Sequence, residues 1–257
     1  MTNGKITIKT PQEIKIMAEG GEKLARVKNA LKEAVKPGVK ASEIEELAVK
    51  LIREEGAEAS FKKVPGYSWA TCISVNEGLV HGIPVPSIVF KKGDIVSVDV
   101  GIYYKGFHTD TSISVGIEES PENRKFLNVG QETLNKAIKA AVPGNHIYDI
   151  SKVIEDSVKS AGYTPIKALV GHGVGHELHE DPQIPCFVPL DYARGKPGSP
   201  EIVPGMVLAI EVMYAKGADK VEIAEDGWTI RMADGKISGL FEDTVAVTEK
   251  GPVVLTH

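Results

Sequence analysis

The segment GDIVSVDV at residues 93–100 has a counterpart in GMVLAIEV at residues 205–212, and this pair of segments decides the fold. Each opens on glycine and continues as a short apolar run that one acidic residue interrupts, Asp99 in the first and Glu211 in the second. Apolar runs of this length, rich in β-branched residues, are typical of buried strands. Asp99 and Glu211 therefore occupy matching positions of two similar strands.

A second pair of segments repeats at nearly the same interval. PGVKASEIEELAVKLIREEG at 37–56 resembles PGNHIYDISKVIEDSVKSAG at 143–162, and both open with Pro-Gly and close with glycine. Repeats at a fixed interval indicate internal duplication. We therefore predict two similar halves around a pseudo-twofold axis, forming one catalytic domain over 1–257 with its site between the halves.

Local patterns predict an α+β chain in which helices and strands alternate twice. Thr10 is the expected N-cap of the first helix, and Ser42 with Glu45 is the expected capping box of the second. From Thr164 onward we expect strands and loops, with Glu242 just ahead of a strand. The earlier elements expected are helices over 11–36, 42–55, 122–141 and 147–160, and strands over 70–75, 95–103 and 111–117.

The composition excludes several classes of function. The 257 residues carry a net charge of -5 and no long basic run, which disfavours a nucleic-acid partner. No apolar stretch has membrane-spanning length. Cys72 and Cys186 are too few for a disulfide framework, so we expect a reducing, cytoplasmic setting.

The stretch VSVDVGIYYKGFHTDTSISV at 96–115 contains the first candidate pair of metal ligands. A hairpin here would bring Asp99 and Asp110 onto facing strands. A carboxylate among valines is costly to bury without a partner, and a metal ion or a cationic side chain would supply one. An aspartate in a loop is more commonly a solvated turn residue, which is the alternative for Asp110.

Histidines and further carboxylates supply the rest of a candidate metal site. GHGVGHELHEDP at 171–182 holds His172, His176 and His179 among alternating glycines, which favour extended or looped backbone over helix. The alternatives are a surface histidine cluster and, for Glu242, an exposed charge at a strand end. Together, Asp99, Asp110, His172, Glu211 and Glu242 form an oxygen-rich set that favours Mn, Fe, Co or Zn, as two ions about 3.5–4 Å apart.

At this point the motifs resemble those of a known family. The chain is similar to the type I methionine aminopeptidases, which belong to the pita-bread (creatinase/aminopeptidase) metallopeptidases of family M24. The resemblance implies a curved antiparallel sheet backed by helices, with internal pseudo-twofold symmetry. It rests on NEGLVHGIP at 76–84, DIVSVDVGIYYKGFHTDTS at 94–112, GHGVGHELHEDP at 171–182, PGMVLAIEV at 204–212 and GLFEDTVAVT at 239–248.

The resemblance implies a role for each candidate ligand. Asp99 would bind one of two divalent ions (Co, Mn, Fe or Zn), His172 and Glu211 the other, and Asp110 and Glu242 both. The activity implied is hydrolytic removal of the initiator methionine from nascent proteins and peptides, preferentially before a small second residue. Glu211 would also be the general base that takes a proton from the attacking water.

The substrate contacts are implied in the same way. His179 would hydrogen-bond the scissile peptide, and His81 would contact the substrate amide on the other side. Tyr67, Cys72 and Trp228 match the walls of the methionine pocket, whose polarizable and aromatic surfaces suit a thioether. The sequence departs from the family at Val64, where an aromatic residue is frequent, at Leu178, where Phe is frequent, and at His176, a position often held by another residue. These departures put the pocket's shape in question.

Three rival functions are weighed against this one. Xaa-Pro dipeptidases and aminopeptidase P share the fold but carry a large additional N-terminal domain, whereas a short lead precedes the first expected helix. The type II enzymes carry an insertion for which the stretch between His179 and Glu242 is too short. A binding protein that has lost the chemistry is disfavoured by its intact ligand positions. We expect a monomer, with transient association with the ribosome.

Overall fold

A computed structural model of the protein describes residues 5–192 and 198–257. Within them, four α-helices pack with thirteen strands, which confirms the expected α+β class. The helices are α1 Pro11–Ala34, α2 Ala41–Glu54, α3 Pro121–Ala140 and α4 Ile147–Ser160. The strands are β1 Glu58–Ala59, β2 Thr71–Val75, β3 Gly78–Val80, β4 Ile95–Tyr104, β5 Phe107–Gly116, β6 Thr164–Pro165, β7 Val170–Gly173, β8 Glu180–Pro185, β9 Val207–Ala215, β10 Val221–Ile223, β11 Ile230–Met232, β12 Ser238–Thr248 and β13 Gly251–Val254.

Ten of these strands form one antiparallel sheet. Its central path runs β1-β4-β5-β12-β9-β7-β8, while β2, β6 and β13 pair with β4, β9 and β12 respectively. A smaller sheet has the order β10-β11-β3. Two large apolar clusters cover the main sheet, one built by α1 and α2 with β2 and β4, the other by α3 and α4 with β9 and β12. Each half of the chain therefore has its own helix pair and its own core.

Matching hydrogen bonds in the two halves confirm the predicted duplication. The amide of Gly38 donates to Phe90 O at 2.8 Å, and the amide of Gly144 donates to Ile202 O at 3.0 Å. Both glycines have a φ near +85°, a conformation that favours glycine and explains why both repeats open with Pro-Gly. The edge pairing of β1 with β4 likewise recurs as the pairing of β6 with β9.

The start of α2 differs from the prediction. Ser42 is not its N-cap: Lys40 precedes the helix in extended backbone, and the amide of Lys40 donates to the carboxylate of Glu43 at 2.8 Å. Glu45 instead accepts hydrogen bonds from the amides of Ala70 and Thr71. The helix starts early because Lys40 forms a β-bridge with Val89, a contact that local sequence does not reveal.

The strand that contains Asp110 begins earlier than expected. Tyr104 pairs with Phe107, so β4 and β5 are joined by a two-residue turn at Lys105 and Gly106. Both turn residues have positive φ, +48° and +94°, which matches the twist of the strands. Lys-Gly is a weaker turn sequence than Asn-Gly, so the predicted strand began at residue 111. Asp110 consequently lies within a strand.

Helix α1 packs closely on the C-terminal segment at one of its glycines, which leads to a stability prediction. A Cβ at Gly21 would lie 2.1 Å from the carbonyl oxygen of Leu255, whereas one at Gly20 would lie 3.4 Å from Tyr104 Cβ. We expect Gly21→Ala to lower the free energy of unfolding by about 1–3 kcal/mol through overpacking. Gly20→Ala should be neutral or stabilising by up to about 1 kcal/mol because alanine favours helix. Urea denaturation of both variants measures the difference, and equal effects would contradict this packing.

Candidate metal centre

Four acidic residues lie on the four central strands of the main sheet. Asp99 of β4 pairs with Ser112, and Asp110 of β5 pairs with Gly101, so the expected hairpin does place both aspartates on facing strands. Glu211 of β9 lies directly opposite Glu242 of β12. Glu242 is therefore in the middle of β12, and its expected position ahead of a strand was wrong. All four side chains line one cavity.

His172 joins this group from the neighbouring strand β7. It pairs with Ala209, and its Nε2 lies 3.5 Å from Glu211 Oε1. Its Nδ1 lies 2.9 Å from the carbonyl oxygen of Gly173. A carbonyl oxygen only accepts, so Nδ1 carries the proton and Nε2 presents a lone pair. Burial lowers the pKa of His172 to about 3, so the ring is neutral near pH 7, the state in which imidazole binds metals.

The carboxylates lack partners that would stabilise their charge. Asp99 Oδ1 and Glu242 Oε1 are buried without a hydrogen bond within the described residues. Burial raises the pKa of Asp110 to about 7. Burial and the charge of Asp110 also raise the pKa values of Asp99, Glu211 and Glu242 well above the usual range. Protons or cations must therefore compensate these side chains.

The positions of these donor atoms fit metal ions. Asp110, His172 and Glu242 each offer a ligand atom, and these atoms lie within 4.8 Å of one another. Glu211 extends the group through its contact with His172, and Asp99 lies in the same cavity. Carboxylate oxygens with one imidazole suit Mn, Fe, Co or Zn, and several carboxylates in one site call for more than one positive charge. These residues therefore fit divalent metal.

Two further histidines border the carboxylates. The ring of His179 lies 4.5 Å from that of His172 between centroids, and His81 lines the same cavity. Burial lowers the pKa of both His81 and His179, so both rings are neutral near pH 7. His81 has a φ of +58°, and the next residue, Gly82, lies so close to Ile73 O that a Cβ there would be 2.1 Å away. This close approach fixes the backbone position from which the His81 side chain extends into the cavity.

Aromatic and sulfur-containing side chains also line the cavity. Tyr67 and Trp228 pack edge to face at 5.1 Å between ring centroids. The hydroxyl of Tyr67 is engaged with Thr71 O at 2.8 Å and Cys72 Sγ at 3.2 Å. Tyr67, Cys72 and Trp228 therefore present mainly apolar and sulfur surface to the cavity.

One cavity thus brings together all the residues predicted for the site. Its volume is about 130 Å³. Phe61 and Val80 also line it, and sequence reasoning missed them because nothing distinguishes them from other core residues. The predicted residues in its wall are Asp99, Asp110, His172, Glu211 and Glu242, with His81 and His179, and Tyr67, Cys72 and Trp228.

A larger cavity of about 620 Å³ adjoins the first. Val64, Leu178 and His179 line both cavities. Two of the positions at which the sequence departs from the resembled family, Val64 and Leu178, therefore lie where the small cavity meets the large one. His176, by contrast, is half-exposed, lies 3.4 Å from Glu13, and lines neither cavity.

Comparison with known proteins identifies relatives across the whole chain. The model of Metallopeptidase family M24 matches residues 15–249. Methionine aminopeptidase 1 of Bacillus subtilis is 41% identical over 253 residues, 98% of this chain and 99% of that protein. The crystal structure of methionine aminopeptidase from Thermotoga maritima superposes with a TM-score of 0.91 at 41% identity, covering 98% of this chain and 99% of that one.

A more distant relative separates the fold from the activity. Prolidase from Pyrococcus furiosus superposes with a TM-score of 0.77 at 25% identity, covering 97% of this chain and 65% of that one. Methionine aminopeptidases and prolidases thus share the same sheet and helices with this chain, which confirms the pita-bread fold. The identity is markedly higher, at 41%, to the methionine aminopeptidases of Bacillus subtilis and Thermotoga maritima.

The raised pKa values predict how pH affects the metal-free protein. A carboxyl group whose pKa is raised on folding stabilises the fold below its unfolded pKa of about 4, and that stability is lost as pH rises through the folded value. For Asp110 the loss extends to about pH 7. We therefore expect the unfolding midpoint of chelator-treated protein to fall between pH 5 and 8, by about 2–4 °C for each kcal/mol lost.

Calorimetric scans with and without Mn²⁺ test this expectation. Added metal should reverse the fall, because ligand binding to the folded state stabilises it. Asp110→Asn removes one of the titrating groups and should show a shallower pH dependence without metal. A metal-free midpoint that rises from pH 5 to 8 would contradict the assigned electrostatics.

Proposed function

The chain belongs to metallopeptidase family M24, and we propose that it is a methionine aminopeptidase that removes the initiator methionine from nascent proteins and peptides. One observation carries this proposal: a single cavity is lined both by carboxylates with neutral imidazoles and by aromatic and sulfur-containing side chains. The first set of residues suits metal-dependent hydrolysis, and the second suits a thioether side chain.

The family and the carboxylate cluster support the use of divalent metal. We propose two ions per chain, of Co, Mn, Fe or Zn. Asp99 would hold one ion, His172 and Glu211 the other, and Asp110 and Glu242 both. When bound, such ions act as Lewis acids and lower the pKa of water, which supplies a nucleophile near neutral pH.

The protein's own residues then orient the substrate and move the proton. Glu211 accepts the proton of the attacking water, a role that suits a buried carboxylate next to the reacting atoms. His179, with its neutral ring, donates a hydrogen bond to the carbonyl oxygen of the scissile peptide, where negative charge develops in the transition state. His81 contacts the substrate amide from the other side of the cavity.

The methionine side chain occupies the part of the cavity that is lined by Tyr67, Cys72 and Trp228. Because the Tyr67 hydroxyl already bonds Thr71 O and Cys72 Sγ, this hydroxyl is not free to bind a charged side chain of the substrate. The substrate residues that follow the methionine extend past Val64 and Leu178 into the adjoining 620 Å³ cavity. A preference for a small second residue follows if this junction is narrow.

We further propose that residues 1–257 form a single catalytic domain. The first half contributes Asp99 and Asp110, and the second contributes His172, Glu211 and Glu242, so neither half holds the site alone. Cys72 and Cys186 are buried and free, in keeping with a reducing cytoplasm. Among the described residues, no helix has both the length and the apolar character needed to cross a membrane.

We also propose that the enzyme acts as a monomer on peptide and nascent-chain N-termini that begin with methionine, with transient ribosome association and no nucleic acid as substrate. Sedimentation of the purified protein, alone and with ribosomes, tests this arrangement. A stable dimer that shares the site would overturn the monomer.

Peptide specificity separates this function from that of the Xaa-Pro enzymes. We expect release of methionine from Met-Ala-Ser, little or none from Met-Leu-Ser, and no cleavage of Xaa-Pro peptides, as followed by chromatography of the products. A preference for Xaa-Pro peptides would instead assign the prolidase activity to this chain.

Metal removal and two substitutions test the assigned roles. Chelator-treated enzyme should lose activity and regain it with Mn, Co or Fe. Glu211→Gln should lower kcat by about 10²–10⁴-fold through loss of the base, and also weaken metal binding. His179→Ala should lower kcat by about 10²–10³-fold with metal content unchanged.

His176→Ala serves as the matched control for these variants. His176 belongs to the same histidine cluster in sequence but lines neither cavity. The activity of the His176→Ala variant should therefore stay near that of the unmodified enzyme. Loss of bound metal in His179→Ala would show that His179 is a ligand. Full activity without metal would rule out the mechanism.

A further inference from the structure

The two halves of the sheet meet along a short seam between β5 and β12. These strands pair at only two positions, Ser112 with Glu242 and Thr111 with Asp243. Asp110 comes to this seam from the first half and Glu242 from the second. The spacing of these two carboxylates therefore depends on a contact of two residue pairs.

Side-chain hydroxyls extend the seam at both ends. Thr244 Oγ1 accepts from the amide of Asp110 at 2.9 Å and donates to the carbonyl of Asp110 at 2.7 Å. Ser114 Oγ bonds the amide and the carbonyl of Leu240 in the same way, at 2.9 Å each. Hydroxyl groups thus stand between the strands where direct backbone bonds would otherwise form.

A lysine from helix α1 reaches the middle of the seam from behind. The buried Nζ of Lys28 donates to Thr111 Oγ1 at 3.0 Å, to Asp243 Oδ1 at 2.9 Å and to Thr256 O at 2.8 Å, which uses all three of its protons. Since Thr111 Oγ1 accepts from Lys28, its own proton is directed to Glu242 O at 2.8 Å, with Asp243 Oδ1 farther away at 3.2 Å.

Thr111 connects this lysine to both carboxylates. Its amide donates to Asp110 Oδ1 at 3.0 Å, and its hydroxyl bonds the backbone carbonyl of Glu242. Side chains alternate along a strand, so Thr111 and Asp243 face the back of the sheet while Asp110 and Glu242 face the cavity. Lys28 therefore acts on the carboxylates through the backbone and side chain of one residue between them.

We interpret the Lys28–Asp243 ion pair as fixing the strand register rather than as contributing stability. Replacing a buried ion pair by apolar residues is often neutral or stabilising, so a buried pair is weak evidence for stability, and in some proteins such a group fixes the register instead. A slip of β12 by one residue would turn Glu242 to the back and Asp243 into the cavity. The ammonium of Lys28 opposes that slip because it holds the carboxylate of Asp243 behind the sheet.

We propose that Lys28 is a positioning residue for the metal pair: through Asp243 and Thr111 it fixes the register of the seam and thus the spacing of the Asp110 and Glu242 carboxylates. This inference rests on the proposed two-metal function. It assigns a role to a side chain that does not line the cavity and touches no substrate.

Calorimetric titration of metal-free protein with Mn²⁺ tests the proposal directly, without using activity. We expect Lys28→Met to bind Mn²⁺ about 10- to 100-fold more weakly, the usual effect of losing a group that orients metal ligands. Ile44→Ala is the control for lost stability, because it opens a void in the core under α2, away from the seam and from both cavities. It should lose stability but bind Mn²⁺ like the unmodified protein.

Two more variants separate positioning from general stability. Thr111→Val keeps the Lys28–Asp243 pair but removes the hydroxyl, and should weaken Mn²⁺ binding by about 10-fold. Lys28→Met combined with Asp243→Asn removes both charges and should restore the unfolding midpoint but not the affinity. These variants also serve if Lys28→Met alone does not fold.

The outcomes are distinct. Affinity restored in the double variant, or unchanged in Thr111→Val, would show that the network is only structural and would overturn the inference. If the unmodified protein itself bound no Mn²⁺, the proposed two-metal function would fail instead. If Ile44→Ala lost affinity as strongly as Lys28→Met, the effect would come from lost stability, which would also overturn the inference.

Discussion

Mutual repulsion among four buried carboxylates is the constraint on which the rest of this structure depends. Asp99, Asp110, Glu211 and Glu242 lie on adjacent strands, and two of their oxygens have no hydrogen-bond partner in the described part of the chain. Burial alone would favour their neutral forms. Cations let them ionise together, so one electrostatic requirement links fold stability, metal binding and hydrolysis.

The duplicated architecture meets this requirement by bringing carboxylates from both halves to one place. Equivalent strands supply Asp99 and Glu211, and the seam between the halves supplies Asp110 and Glu242. Each half has its own helix pair and core, so the seam itself needs few residues. Its geometry is then open to control by individual hydroxyls and by the lysine behind it.

The remaining side chains of the site are neutral, and this matters for the chemistry. Burial keeps His81, His172 and His179 uncharged, so they add no positive charge that would compete with metal ions for the carboxylates. The aromatic and sulfur-containing side chains lie directly beside the carboxylates, since Cys72 pairs with Asp99 across neighbouring strands. Binding of the methionine side chain and hydrolysis therefore use different residues of one small cavity. Val64 and Leu178 lie where this cavity meets the larger one.

Sequence alone determined the features that depend on neighbouring residues. Helix spans, the internal repeat, the burial of Asp99 and Glu211 in apolar strands and the family motifs are all local, because apolar spacing and glycine positions act over a few residues. The family resemblance, which carries information from other chains, was needed to single out Asp110 and Glu242.

Tertiary structure alone decided the features that depend on distant pairing. That Glu242 lies mid-strand opposite Glu211, and that Lys28 of the first helix reaches Asp243, follow from strand register and helix packing between residues far apart in the chain. A lysine in an amphipathic helix is ordinarily exposed, and nothing in its neighbourhood in sequence distinguishes one that is buried. Its partners exist only once both halves have folded around the same seam.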